Sequence, residues 1–184
     1  MSIQKQLFEV KFRPSSIEQF VLPERIKEKF KNGIIEDNYL FHGTSGLGKS
    51  SLAKYFGDKM NMFYLNASRD GSVDNLRDGS ELHDFCVTSS IMGDEKPKFV
   101  LLDELNGVSK QFFEGLKGFI DTYSELGIRF VGTTNYIEDI EPAILSRLKP
   151  ISFNPTIEEE PIVRELYKKR VVAILNKIDT KYDD

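Results

Sequence analysis

Residues 43–50 read Gly43-Thr44-Ser45-Gly46-Leu47-Gly48-Lys49-Ser50: a glycine, four residues, then Gly-Lys-Ser. Glycines at these positions let successive backbone N–H groups converge on an anion with no side chain in the way. A helix starting where the loop ends adds its own unsatisfied N–H groups and its dipole. The pattern therefore needs a strand before it and a helix after it. Tyr39-Leu40-Phe41 supplies a short apolar strand, and Ser50 to Met60 reads as a helix. In such a setting Lys49 reaches the β- and γ-phosphates of a nucleotide, and the Ser50 hydroxyl ligates Mg²⁺.

The same alternation runs through the rest of the chain. Before the loop lie a helical turn at Ser16 to Phe20 and a helix from Glu24 to Asn32, closed by Gly33. After it, strands are expected at Met62 to Leu65, Lys98 to Leu102, Ile128 to Thr133 and Ile151 to Phe153. Helices are expected at Val73 to Ile91 (with polar breaks), Lys110 to Tyr123 and Pro142 to Leu148. Strands alternating with helices imply an α/β fold with a mostly parallel sheet, whose ligands bind at the carboxyl ends of the strands.

Further polar groups fall at those ends. Phe99-Val100-Leu101-Leu102 is a buried-strand run that releases two acids, Asp103 and Glu104. Asp103 suits the Mg²⁺ shell, and Glu104 is placed to polarise an attacking water. The strand Ile128 to Thr134 ends in Asn135, a neutral amide able to hydrogen-bond a γ-phosphate or the lytic water without adding repulsive charge.

Composition narrows the alternatives. Of 184 residues, 40% are hydrophobic and 29% charged, as in a folded globular domain. The net charge of −4 leaves no bulk basic field, so any nucleic-acid contact must be local. A single cysteine, Cys86 between Phe85 and Val87, excludes a disulfide framework and reads as a small buried side chain in a reducing, cytoplasmic interior. His42 and His83 lack a third ligand at metal-binding spacing and read as structural. The start of the chain lacks a signal-peptide core, and no apolar run approaches membrane-spanning length.

With these motifs in place, the chain resembles AAA+ ATPases, and more narrowly clamp-loader subunits of the replication factor C type. Within that group it looks closest to the large subunits of T-even-type phage clamp loaders. Phe8-Glu9-Val10-Lys11-Phe12-Arg13-Pro14 resembles the family's N-terminal box, Thr133-Thr134-Asn135 its first sensor, and Pro142-Ala143-Ile144-Leu145-Ser146-Arg147 its Ser-Arg-Cys element. The resemblance implies that Arg13, Pro14, Val21 and Leu22 surround the adenine of ATP, with Gly43 to Ser50 and Ser51 on the phosphates. It implies that Lys49, Glu104 and Asn135 act in hydrolysis, and that Arg147 acts in trans on a neighbouring subunit's ATP. Two departures stand out: Leu148 replaces the cysteine, and Phe113-Glu114 stands where the family carries a polar Gln-Arg-type pair.

The resemblance further implies DNA contact through residues 68–77, with Ser72 and Arg77 on phosphates. The expected partners are the other subunits of a pentamer, a sliding clamp and primer–template DNA, with no membrane; if the chain is phage-encoded, the compartment is the host cytoplasm. The implied fold is a three-layer P-loop AAA+ domain with a parallel five-stranded sheet over residues 1–155. Residues 156–184 then form the first helix, Ile157 to about Ile178, of a helical lid that the chain cuts short. The expected role is ATP-driven clamp opening and DNA gripping, with hydrolysis for release. The alternatives are a helicase loader, a branch-migration motor, or a nucleotide-binding scaffold that does not hydrolyse.

Overall fold

The computed structural model describes residues 11–92 and 96–179. Residues 8–10 of the N-terminal box lie outside that range. The chain divides into two compact units: residues 32–154 form one, and residues 11–31 with 155–179 form the other. This partition differs from a simple cut at 155, because the arm groups with the C-terminal helix.

The larger unit is built on five parallel strands: β1 (Tyr39–His42), β2 (Asn61–Asn66), β3 (Lys98–Asp103), β4 (Arg129–Thr134) and β5 (Lys149–Ser152). Their spatial order is β2-β3-β4-β1-β5. From β1 the chain crosses to the far edge at β2, returns through β3 and β4, and finally places β5 on the other side of β1. The carboxyl end of β1 is thus where the winding reverses, the usual ligand position in an open parallel sheet.

Both faces of the sheet are covered. Leu40, Val100, Leu102 and Phe130 pack into one apolar cluster with Leu82 and Cys86 of α4 (Glu81–Met92) and with α5 (Lys110–Glu125). On the opposite side α2 (Lys49–Phe56) packs against β3 and β4. Phe99 to Leu102 are wholly buried, as a near-continuous apolar run in a doubly covered strand must be.

The phenylalanines of α5 are core. Phe112, Phe113, Leu116, Phe119, Ile120 and Tyr123 recur at helical spacing on its buried face. The Ser109 hydroxyl caps its start through the Phe112 N–H (3.2 Å). At its end Gly127 (φ 88°) donates to the Ser124 carbonyl and Ile128 to the Tyr123 carbonyl, a six-residue closure that a left-handed glycine permits. That turn delivers the chain directly into β4.

Three expected elements are shorter or broken. The phosphate-loop helix stops at Phe56 rather than Met60, because Gly57 follows and Met60 turns inward to accept the Ile35 N–H on its sulfur (3.2 Å). The stretch from Val73 to Ile91 splits into a 3₁₀ turn, Val73–Leu76, and α4. Gly79 at φ 80° makes the break, and the Ser80 hydroxyl accepts the His83 N–H to start the new helix. Residues Pro142–Leu145 form the single turn α6. A further single turn, α3 (Ala67–Asp70), capped by Asn66, was not expected.

In the other unit, a 3₁₀ turn (Ile17–Gln19), α1 (Glu24–Lys29) and α7 (Glu160–Asp179) are the regular elements. Thr156 and Glu159 exchange hydrogen bonds ahead of α7, a reciprocal cap. Arg25 pairs with Glu159 (3.1 Å), and Arg170 donates to the Phe12 carbonyl (2.8 Å). These long-range ties explain why the arm groups with the C-terminal helix. Among the described residues, no helix is long and apolar enough to cross a membrane.

Candidate nucleotide site

The carboxyl ends of β1, β3 and β4 converge on a cleft of ≈ 240 Å³. Its walls are Ser45, Gly46 and Gly48 to Ser51 on one side, with Glu104, Asn106 and Thr133 to Asn135 on the other. Gly46 and Gly48 lie at φ 86° and 85° with open space where a Cβ would stand. Their left-handed backbone, not crowding, is what calls for glycine there. Gly43 is different: a Cβ there would fall 2.9 Å from Oδ1 of Asn154. That oxygen accepts the Thr44 N–H (2.9 Å), so a residue two positions after β5 pins the beginning of the loop. Leu47 is half-buried at the loop's tip.

Lys49 is buried, and its ammonium donates to the carbonyls of Gly43 (2.6 Å) and Thr44 (2.9 Å) and to Oδ1 of Asn135 (2.9 Å). All three of its donors are spent on neutral oxygens. Burial pushes its pKa down, and Asp103 opposes the shift. A desolvated cation hydrogen-bonded only to dipoles is an attractive seat for a phosphate anion. The contact with Asn135 also joins the loop to the end of β4, two segments 86 residues apart in sequence.

Asp103 is 4% exposed and held at both oxygens. Ser50 (2.6 Å) and Thr133 (2.7 Å) donate to Oδ1; Tyr64 donates to Oδ2 (3.3 Å), and the Lys54 ammonium stands 3.8 Å from it. Burial, with Asp103 beside it, raises the Tyr64 phenol. The Ser50 hydroxyl and the Asp103 carboxylate form the hard-oxygen pair that fits Mg²⁺, which takes one or two protein oxygens and completes its shell with water and phosphate. Among the described residues, no cluster of three or more His, Cys, Asp or Glu groups could hold a metal without such help.

Glu104 is the only non-glycine residue among those described with positive φ (60°). That conformation costs about 1–2 kcal/mol in an L-residue. It turns the side chain out of the strand, where Oε2 accepts from Ser68 (2.8 Å) and from the Asn66 amide (3.1 Å). The Asn66 oxygen meanwhile caps α3 through the Arg69 N–H (3.1 Å). Asn66, Ser68 and Asn154 join this site without a motif that marks them in the sequence. For Asn66 and Asn154, the available signal was a polar amide at or near a strand end, which can serve as a cap or turn.

The structure brings Lys49, Ser50, Asp103, Glu104 and Asn135 into one cleft, with Ser51 at its edge. Arg147 lies elsewhere on the same unit, where Nε and Nη2 grip both oxygens of Asp121 (2.8 and 2.7 Å) and Nη1 donates to the Ala143 carbonyl (2.7 Å). Hydrogen bonding from Arg147 pulls the Asp121 carboxyl below its usual range. Arg77 pairs with Asp74 (2.7 Å), and the Ser72 hydroxyl accepts the Asp74 N–H (3.2 Å) to start the 3₁₀ turn. Arg13, Pro14, Val21 and Leu22 belong to the other unit; Leu22 is buried and Arg13 exposed.

Residues 39–156 match the profile of the ATPase family associated with various cellular activities (AAA). The chain belongs to this AAA family. The match runs from the first residue of β1 to just past β5, and so takes in the whole sheet of the AAA domain. Over 167 residues the AAA chain is 29% identical to replication factor C small subunit 2 of Pyrobaculum islandicum, which covers 85% of this chain and 51% of that protein. It is 31% identical over 166 residues to the replication factor C small subunit of Methanococcus vannielii, with the same coverage of 85% and 51%. The chain thus spans about half the length of these curated relatives. A solved structure of RuvB from Thermotoga maritima superposes with a TM-score of 0.63 at 19% identity, over 90% of this chain and 55% of that one. At that identity the likeness speaks for the AAA fold alone.

Proposed function

We propose that the chain is the ATP-hydrolysing part of a sliding-clamp loader subunit, of the replication factor C type and nearest to the T-even phage large subunits. The observation that carries the ATPase reading is the pair of cross-links at the strand ends, Lys49 to Asn135 and Ser50 to Asp103. They bring together the phosphate cradle, a metal-binding oxygen pair and a neutral amide, with Glu104 beside them. The likeness to replication factor C small subunits supports the clamp-loader reading.

In this reading the loop N–H groups and Lys49 bind the β- and γ-phosphates, and Arg13, Pro14, Val21 and Leu22 contact the adenine. Ser50 and Asp103 would hold Mg²⁺, which would supply neutralisation of charge on the phosphate oxygens. Glu104 orients a water in line with the γ-phosphorus and takes its proton as the new P–O bond forms and the bond to ADP breaks. Asn135 hydrogen-bonds the transferred group or the water. Arg147 leaves Asp121 and enters the neighbouring subunit's site in trans, since a bidentate carboxylate partner is chemically exchangeable for a phosphate. Ser72 and Arg77 contact phosphates of primer–template DNA without reading sequence. The partners are the other subunits of a pentamer, the clamp and primed DNA, in the cytoplasm (that of the host if the chain is phage-encoded).

The deciding experiment is Glu104→Gln in the assembled loader. ATP binding is expected to persist while turnover, stimulated by clamp and primed DNA in the unsubstituted protein, is lost. Persistent turnover would remove Glu104 from the role of base, and turnover indifferent to clamp would remove the clamp-loader reading.

A further inference from the structure

Of two adjacent threonines at the end of β4, only one reaches the acids. The Thr134 hydroxyl is spent on a local turn, between the carbonyl and the N–H of Tyr136 (3.0 and 3.2 Å). The Thr133 hydroxyl donates to Oδ1 of Asp103 (2.7 Å) and accepts the backbone N–H of Glu104 (3.0 Å). A hydroxyl has one proton to give, and this one gives it to the carboxylate, while one of its two lone pairs holds the amide. The Thr133 carbonyl then accepts the next N–H, that of Leu105 (2.8 Å). One residue, 2% exposed, therefore grips three successive positions of the neighbouring strand end.

That strand end carries the left-handed residue Glu104 (φ 60°). Such a conformation persists only where the surroundings over-determine it. The two hydrogen bonds that Thr133 accepts from the N–H groups of Glu104 and Leu105 are such a determinant. The bond to Asp103 leaves Oδ1 shared between Thr133 and Ser50 (2.6 Å), on the side where the metal pair lies. We infer that Thr133 is a positioning residue that couples the two acids, orienting Asp103 toward the metal and holding Glu104 in its turned-out conformation through a single hydroxyl. The inference rests on the roles proposed above for those acids.

The test compares Thr133→Val, Thr133→Ala and Thr133→Ser in the full chain within its assembly, with ATP binding and turnover followed across a Mg²⁺ titration. Loss of a group that orients a metal ligand typically costs about 10–100-fold in metal affinity or activity. Val and Ala are expected to need more Mg²⁺ for half-maximal ATP binding and to lower kcat by that order, while ATP binding in EDTA stays as in the unsubstituted protein. Ser keeps the hydroxyl and is expected to restore both. Val and Ala with an unchanged Mg²⁺ midpoint and kcat, or Ser as impaired as Val, would overturn the inference. Should neither Val nor Ala fold, NMR of the unsubstituted protein decides. A slowly exchanging Thr133 hydroxyl proton close to the Glu104 amide supports the coupling, and a freely rotating hydroxyl refutes it. Glu104→Gln run in parallel separates the two readings. If that variant still turns over, the assignment of the base fails whatever Thr133 does; if it is inactive and Thr133→Val is normal, only the coupling fails.

Discussion

Replacing Gly132 by alanine would set a methyl group against three buried leucines at the sheet. Gly132 lies on β4 between Leu40 of β1 and Leu102 of β3. A Cβ there would fall 2.6 Å from Cδ1 of Leu105, 3.0 Å from that of Leu40 and 3.2 Å from that of Leu148, all on fully buried side chains. None of the three is a flexible tip at the surface, so rotamers or backbone must shift. Overpacking of this kind costs about 1–3 kcal/mol. For a chain of this size each kcal/mol lowers Tm by roughly 2–4 °C, so a fall of about 2–12 °C is expected in a calorimetric melt. The contact closest to the new methyl, Leu105, directly follows Glu104, so kcat is expected to fall more than ATP affinity. Leu105→Ala on the Gly132→Ala background makes room for the methyl. The two costs should then fall short of additivity by about 0.5–3 kcal/mol. An unchanged melting temperature, or strictly additive costs, would refute the packing argument.

Three further outcomes are expected. Removing both tethers of Glu104 (Asn66→Ala with Ser68→Ala) frees its carboxylate and should raise ATP turnover measured without clamp or DNA, with the lost α3 cap costing about 1 kcal/mol of stability; unchanged basal turnover counts against the tether. Cys86 is buried and its thiol is pushed up to about 12 by burial, so alkylation at pH 8 should be negligible until denaturant is added. Because the folded-state value lies above the ordinary thiol value of 9.0, this group's stabilising contribution is complete below pH 9 and fades as pH rises toward 12. Asp121 has the opposite sign: its carboxyl is lowered, so the Arg147 contact should hold above about pH 4 and loosen as pH drops through the depressed value, visible in the Asp121 carboxyl NMR shift.

What the sequence disclosed, and what it withheld, follows from the range of the interactions. The phosphate loop was legible because its glycines answer to local backbone geometry, and Asp103 with Glu104 because two acids straight after four apolar residues mark the end of a buried strand. The strand order was not written locally, and with it went the partners of strand-end polar groups. Asn154 meets Thr44 across 110 residues, Asn66 meets Glu104 across 38, and Thr133 meets Asp103 across 30. Each of these pairs exists only because the sheet sets particular strand ends side by side. The break at Gly79 and Ser80 had a local signal, the polar Arg-Asp-Gly-Ser run, and falls among the polar breaks expected between Val73 and Ile91. The grouping of the arm with α7 depends on Arg25, Glu159 and Arg170, whose charges in sequence look like ordinary surface groups.

The three bonds of the Lys49 ammonium carry a last consequence. A phosphate oxygen that approaches this lysine must displace the Gly43 or Thr44 carbonyl or the Asn135 amide, so nucleotide uptake is a substitution at nitrogen rather than a simple addition. The affinity measured for ATP is then a difference between two sets of hydrogen bonds to one cation. An Asn135 released by that exchange is free to turn its amide NH2 toward a γ-phosphate oxygen, as donor, at the moment the γ-phosphate arrives. The site would thus register the nucleotide at the end of β4 as a direct result of filling the loop after β1.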